Sequence, residues 1–196
     1  MDTAWAVFSE FGYANASMDM VVARAGGSKA TLYTHFKSKE ELLKAVLEYR
    51  TREFEERVYR NFIVPGGFAA SLRNFGVVYL DAVINSDVIE VYRLAMSEAR
   101  RLVTGGDVYN SGFVANWRYV AEYIGESVDS ARLLPGGGWL AAMQFRGLLE
   151  GDLVMRRLTG LLRHVEREEL ERTVEEGVEA FLRIYAPDLA ASGKGD

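Results

Sequence analysis

The run Ser17-Met18-Asp19-Met20-Val21-Val22-Ala23-Arg24-Ala25-Gly26-Gly27-Ser28-Lys29-Ala30-Thr31-Leu32-Tyr33-Thr34-His35-Phe36 holds the residues best suited to chemistry. Ser17 and Ser28 each precede a short helix-compatible stretch and can cap it through the side-chain oxygen. Gly26 and Gly27 break the chain between the two stretches. The pattern predicts helices over Met18–Ala25 and Lys29–Phe36, the form of a helix-turn-helix. A tight glycine turn lets the second helix project, and a single helix is the element that fits the major groove of DNA. On that helix Leu32 and Phe36, four apart, face inward, which leaves Lys29, Thr31, Tyr33 and His35 to solvent or nucleic acid. Short polar donors on an exposed helix are what base and phosphate readout requires. Two short helices and a glycine turn also occur in helical proteins that touch no DNA, so geometry alone leaves both readings open.

The elements that would carry this unit are helical throughout. Ala4, Trp5, Phe8 and Phe11 fall at helical spacings before Gly12, placed where a left-handed stop would be. Ser38-Lys39-Glu40-Glu41 matches the capping box and opens a long helix from Lys39 to about Phe62. Val64-Pro65-Gly66-Gly67 punctuates the chain, and Phe68, Leu72, Phe75, Tyr79 and Val83 then share one helical face as far as Asn85-Ser86-Asp87. A helix over Val88–Val103 is expected to end at Thr104-Gly105-Gly106. Phe113, Trp117, Val120 and Ile124 mark the next, closed by Leu134-Pro135-Gly136-Gly137-Gly138. The last two helices are predicted over 139–163 and 166–185, with 191–196 a frayed tail. The expected architecture is all-α, with three short helices of a helix-turn-helix domain over 1–47 and a helical domain over 48–196.

Composition narrows the class. The chain has 196 residues, 49% hydrophobic and 26% charged, enough for a buried core. It has no Cys, which removes disulfides, thiolate nucleophiles and zinc-thiolate sites. The N-terminus lacks the blocks of a signal peptide. The most apolar stretch, Trp139 to Leu162, is interrupted by Arg146, Glu150, Asp152, Arg156 and Arg157, so no transmembrane span is predicted and a cytoplasmic location is expected. Glu150 with Asp152, or His164 with Glu166, could be offered as catalytic pairs, but two residues apart on a helix they diverge. With no nucleophile elbow, phosphate loop or metal cluster in the sequence, neither an enzyme nor a cofactor is expected. The formal charge of −5 gives no global basic character. Residues 17–44 nonetheless hold five cations, Arg24, Lys29, Lys37, Lys39 and Lys44, against Asp19, Glu40 and Glu41. That local balance of +2 leaves −7 to the remaining residues.

Phe8-Ser9-Glu10-Phe11-Gly12-Tyr13, Ala25-Gly26 and the run from Ser28 through Lys37-Ser38-Lys39-Glu40-Glu41-Leu42 together resemble the signature of the TetR family of bacterial transcriptional regulators. The resemblance covers about the first quarter of the chain. It implies a homodimer that binds a palindromic double-stranded DNA operator, usually as a repressor, and is released by a small, mostly apolar effector bound in its C-terminal domain. Carried onto matching positions, Ser17 and Lys39 would approach phosphates at helix N-termini. Ser28, Lys29, Thr31, Tyr33 and His35 would form the recognition surface, with Tyr33 and His35 toward phosphates and Lys29 toward a base edge. Three departures are expected to matter. The chain starts at Met1-Asp2-Thr3-Ala4 where family members usually carry a basic arm, which predicts weak, strongly salt-dependent binding. Gly27 stands in place of an apolar turn residue, and Ala30 in place of a common Gly. A helical interaction module that has lost DNA binding is the rival reading.

In the C-terminal domain the resemblance implies a pocket lined by some of Phe75, Tyr79, Tyr92, Met96, Trp117, Tyr123 and Met143, with Gln144 and Arg146 as polar partners beside Tyr92. Arg146 could instead pair with Glu150 one turn on. Gly147 and Gly151, four apart, could admit another helix closely. Phe145, Leu149 and Leu153 on one helix and Val174, Val178, Phe181 and Tyr185 on the last form apolar stripes. These are either core or, as the resemblance implies, the four-helix interface of a homodimer.

Overall fold

The helix starts follow the side-chain caps that the sequence offers. Ser17 Oγ accepts from Met20 N at 3.2 Å, Ser28 Oγ from Thr31 N at 3.1 Å and Ser38 Oγ from Glu41 N at 3.1 Å. The reciprocal bond of the capping box is displaced by one residue, since the Glu41 carboxylate accepts from Lys37 N at 2.8 Å rather than from Ser38. Gly26, at φ 67°, closes the second helix in the left-handed conformation. A computed structural model describes residues 1–60, 62–98, 114–128 and 137–192. Those residues form helices and no strand: α1 (Asp2–Asn15), α2 (Met18–Ala25), α3 (Lys29–His35), α4 (Lys39–Tyr59), α5 (Gly67–Asn85), α6 (Val88–Glu98), α7 (Ala115–Ser127), α8 (Gly137–Glu150), α9 (Leu153–Leu158), α10 (Arg167–Tyr185) and α11 (Pro187–Ser192).

Several boundaries differ from expectation for local reasons. Gly12 (φ 71°, ψ 157°) kinks α1 without ending it, and helix resumes to Asn15. The helix expected over 139–163 is two, because Gly151 at φ 48° ends α8 and α9 stops before Gly160 at φ 79°. Pro187 opens the short α11, where its missing N–H costs nothing in a first turn. The expected stops at Thr104-Gly105-Gly106 and Leu134-Pro135-Gly136, the start at Phe113 and the last four residues of the tail lie outside the described residues.

Contacts divide the chain into two compact units, Met1–Glu53 with Glu90–Gly112, and Phe54–Ile89 with Phe113–Asp196. Both α4 and α6 run from one unit into the other. The first unit has a small core of Trp5, Val7 and Phe8 from α1, Met18 and Val21 from α2, Leu42, Leu43, Val46 and Leu47 from α4, and Val91 and Leu94 from α6. Each fully buried Leu or Phe contributes about 2 kcal/mol. α3 supplies no fully buried residue and holds to this core only through half-buried Leu32, followed by Phe36 at its end.

The second unit is larger and aromatic. α10 packs on α5 and α8, burying Leu170, Val174, Val178, Phe181, Leu182 and Tyr185. Glycines set these crossings, at positions other than the expected pair. A Cβ on Gly76 of α5 would lie 2.7 Å from Val174 Cγ1, one on Gly177 3.1 Å from the Leu148 carbonyl oxygen, and one on Gly138 2.1 Å from the Ala121 carbonyl oxygen. Among the described residues a Cβ on Gly147 or Gly151 would meet nothing within 4 Å, so neither sets a helix crossing there.

Candidate nucleic-acid interface and aromatic core

Ser28 fixes the start of α3 and, with it, the exposed face. Its hydroxyl also lies 2.8 Å from Thr31 Oγ1, and Thr34 Oγ1 donates to Ala30 O at 2.8 Å. Lys29, Thr31, Tyr33 and His35 are all exposed, with Tyr33 at 42%. The inward and outward sides of α3 are thus those expected from Leu32 and Phe36. A Cβ at Gly27 in the turn would meet nothing within 4 Å.

The cations are less free than their count implied. Lys29 Nζ lies 2.7 Å from Asp19 Oδ1 and 5.9 Å from the Tyr33 ring centroid. The Asp19 carboxylate holds the Lys29 pKa above its ordinary value, through the hydrogen bond first and charge second. Arg24 Nη1 lies 2.7 Å from Glu10 Oε2. Lys39, expected at a phosphate, donates through Nζ to the carbonyls of Tyr13 (2.7 Å) and Ala16 (2.8 Å) and sits 4.4 Å from the Tyr13 ring centroid. Tyr13 lies in the last turn of α1 and Ala16 just past its end, where carbonyls have no later helical amide to accept from, and the ammonium satisfies them. Neither Asp19 as a partner for Lys29 nor Lys39 as a stitch follows from helical periodicity, because both contacts cross between helices.

In the second unit Phe75 and Tyr79 stack at 5.5 Å and 15°, and Trp117 meets both edge-on at 5.6 and 5.1 Å. Tyr123 packs on Phe62 at 4.9 Å and Phe68 at 5.6 Å. The Tyr79 hydroxyl donates to Glu150 Oε1 at 2.5 Å, and Arg146 Nε donates to the same oxygen at 2.7 Å. Arg146 therefore takes the i,i+4 partner the spacing offered, while Tyr79, 71 residues away, joins from α5. Met143 is half-buried. Gln144 is exposed, and its Oε1 accepts a short hydrogen bond from the Tyr185 hydroxyl, whose pKa burial pushes up. Tyr92 and Met96 lie on the part of α6 that belongs to the first unit, so they are not brought into the unit that holds the other aromatic candidates. His164 and Glu166 stand 3.8 Å apart, both exposed, and among the described residues no cluster of His, Asp or Glu could hold a metal.

Two family models match the chain. Residues 1–46 match the N-terminal model described as bacterial regulatory proteins of the tetR family, and residues 70–187 match the C-terminal domain of AefR-like transcriptional repressors. The chain belongs to the TetR family of transcriptional regulators. It is similar to the A-factor receptor protein of Streptomyces griseus, 38% identical over 79 residues, which are 38% of this chain and 29% of that protein. The matched stretch thus spans under a third of this curated relative. Among solved structures it resembles the flavonoid-responsive regulator FrrA, with 30% identity, 95% of this chain and 94% of that one covered, and a TM-score of 0.78. A TetR-family regulator from Mesorhizobium loti, at 23% identity, shares the fold at a TM-score of 0.80 over 94% and 93% of the two chains.

The expected interface stripe of this TetR-family chain needs correction. Phe145, Leu149, Leu153, Val174, Val178, Phe181 and Tyr185 are all buried within a single chain, none more than 6% exposed. Phe145 and Phe181 meet at 5.0 Å, and Phe181 and Tyr185 at 4.8 Å. Within the chain they form the packed core of this unit. The apolar side chains that do remain outside on the same elements are Met155 (62% exposed) of α9 and Ile184 (57%) of α10. No helix among the described residues is long and apolar enough to cross a membrane.

Proposed function

We propose that this chain is an effector-responsive repressor that binds a palindromic operator as a homodimer. The observation that carries the reading is the capped α3, which presents Thr31, Tyr33 and His35 to solvent on one side while Leu32 anchors the other. A helix so mounted fits a major groove, and a two-fold dimer would place two of them in half-sites about one helical turn apart. Ser17 and Ser28 mark helix starts whose free N–H groups suit phosphates. The second copy would cover the outward sides of α8 to α10, where Gly147, Gly151, Met155 and Ile184 are exposed, rather than the buried stripe.

The effector reading rests on the aromatic group around Tyr79 and Trp117 and on the Glu150 carboxylate at its edge. Rings favour a flat apolar ligand, and a carboxylate accepts from hydroxyl donors. The likeness to a flavonoid-responsive regulator supports a planar phenolic effector. Such a ligand would exchange its own hydroxyl for that of Tyr79 at Glu150. It would shift DNA binding only if its affinity differs between two states of the protein. α4 and α6, which run through both units, are the covalent routes for that shift.

The test is selection of duplexes from a random library, followed by band-shift titration. A palindrome should emerge, Lys29→Ala and Tyr33→Ala should each weaken its binding about tenfold, and a flavonoid should release it. Unchanged affinity for both variants, or no enriched palindrome, would favour the interaction module.

A further inference from the structure

The segment that faces DNA in the reading above carries two ordinary cations, Arg24 and Lys29, and both are held by carboxylates of the same unit. Glu10 takes Arg24 at 2.7 Å and Asp19 takes Lys29 at 2.7 Å. The second pair is the more consequential because of where it sits. Lys29 is the first residue of α3, next to the Ser28 cap, and Asp19 lies in the first turn of α2. Lys29 is 59% exposed and Asp19 66%, so the pair stands in water, is worth little, and can exchange partners rapidly.

We propose that Asp19 is a built-in competitor of DNA for Lys29: its carboxylate occupies the ammonium, and the pair must open before Lys29 contacts a phosphate or base. The proposal rests on the DNA-binding reading and deepens it. While Asp19 stays ionised beside the duplex, the Lys29–Asp19 pair adds no net positive charge there. The local surplus of residues 17–44 is then only partly available, and sequence-independent attraction is held down. Discrimination falls more heavily on the hydrogen-bonding side chains of α3, since the electrostatic part of binding carries no sequence information. Asp19 acts through Lys29 and is therefore a positioning residue.

Asp19→Asn keeps the shape and removes the charge. In band-shift titrations of the full chain, it should bind both the selected operator and a scrambled duplex about three- to tenfold more tightly at low salt. The slope of log affinity against log salt should steepen by about 0.9, the signature of one more effective cation. The ratio of operator to scrambled affinity should fall or stay level. Asp19→Glu, which keeps the charge, should match wild type within about twofold. In a Lys29→Ala background the gain from Asp19→Asn should disappear. Circular dichroism melts of each variant establish that α2 and α3 are intact. Unchanged or weaker binding by a folded Asp19→Asn protein, an unaltered salt slope, or a gain that survives Lys29→Ala would each overturn the competitor role while leaving the DNA-binding reading standing. If wild type binds neither duplex at any salt, the DNA-binding reading fails and takes this one with it.

Discussion

The two compact units differ in the range over which their defining contacts act. In the first, three serines cap three helices through bonds to amides three residues on, and the small core draws mainly on aliphatic side chains around Trp5 and Phe8. In the second, contacts bridge long stretches of chain: Arg73 to Glu175 across 102 residues, Tyr79 to Glu150 across 71 and Asn85 to Val165 across 80. The first unit keeps its functional side chains on the surface, supported by caps. The second spends its aromatic residues on its own interior and sets helix spacing with glycine. One consequence is that a surface substitution should dominate function in the first unit, while close packing should dominate stability in the second.

The sharpest way to break that contrast is a single methyl group. Gly138→Ala would put a Cβ 2.1 Å from the Ala121 carbonyl oxygen, a backbone atom that cannot swing aside. α7 and α8 would have to separate, and a loss of about 3 kcal/mol is expected in urea unfolding at fixed protein concentration. The control is Gly147→Ala, whose Cβ would meet nothing within 4 Å. There the helix gains propensity, and at protein concentrations too low for the proposed dimer stability should rise by up to about 1 kcal/mol. Equal effects at the two glycines would show that crossing distances do not govern this unit.

A smaller effect separates support from contact in the first unit. Ser28→Ala removes the acceptor for Thr31 N and should cost about 1 kcal/mol, with faster exchange of the Thr31 amide. Ser28→Asp retains a capping oxygen but sets a carboxylate where a phosphate would approach. It should therefore keep stability near wild type while weakening duplex binding about tenfold or more. If the two variants lose binding in proportion to stability, Ser28 is a cap only.

The same difference in range explains what could be read without coordinates. Ser17, Gly26 and Ser28 announce α2, its stop and α3, because capping and left-handed turns are local events, and the inward pair Leu32 and Phe36 follows from helical spacing. The all-helical class and the family were likewise legible. The stripe of Val174, Val178, Phe181 and Tyr185 was visible, but periodicity reports only that one side is apolar, not whether its cover is the same chain or another. Gly147 and Gly151 had the right spacing for a close crossing, while the glycines that make one, Gly76, Gly138 and Gly177, lie on helices whose pairing no local pattern encodes. Lys39 and Lys29 read as free cations because their partners, the α1 carbonyls and Asp19, sit on other helices.

The smallest effect concerns the long-range pair that ties α5 to α10. Arg73 forks onto Glu175, with Nε to Oε2 at 2.6 Å and Nη2 to Oε1 at 2.8 Å. The guanidinium holds the Glu175 carboxyl below its ordinary value, chiefly through these hydrogen bonds. A carboxyl with a lowered folded pKa adds stability that is fully present above its unfolded value, about 4.3, and is lost as pH falls through the folded one. The side chains are 39% and 46% exposed, so solvent screening keeps the contribution under about 1 kcal/mol at neutral pH. Glu175→Gln should therefore be slightly less stable than wild type at pH 7. The gap should close as the pH falls through the lowered folded value of Glu175, where the carboxyl becomes protonated and as neutral as the amide. Added salt should narrow it at pH 7 as well. A gap that stays constant from pH 7 to pH 3 would mean that the Glu175→Gln variant loses shape or packing rather than charge, and the second unit would then be held at this crossing by close fit alone.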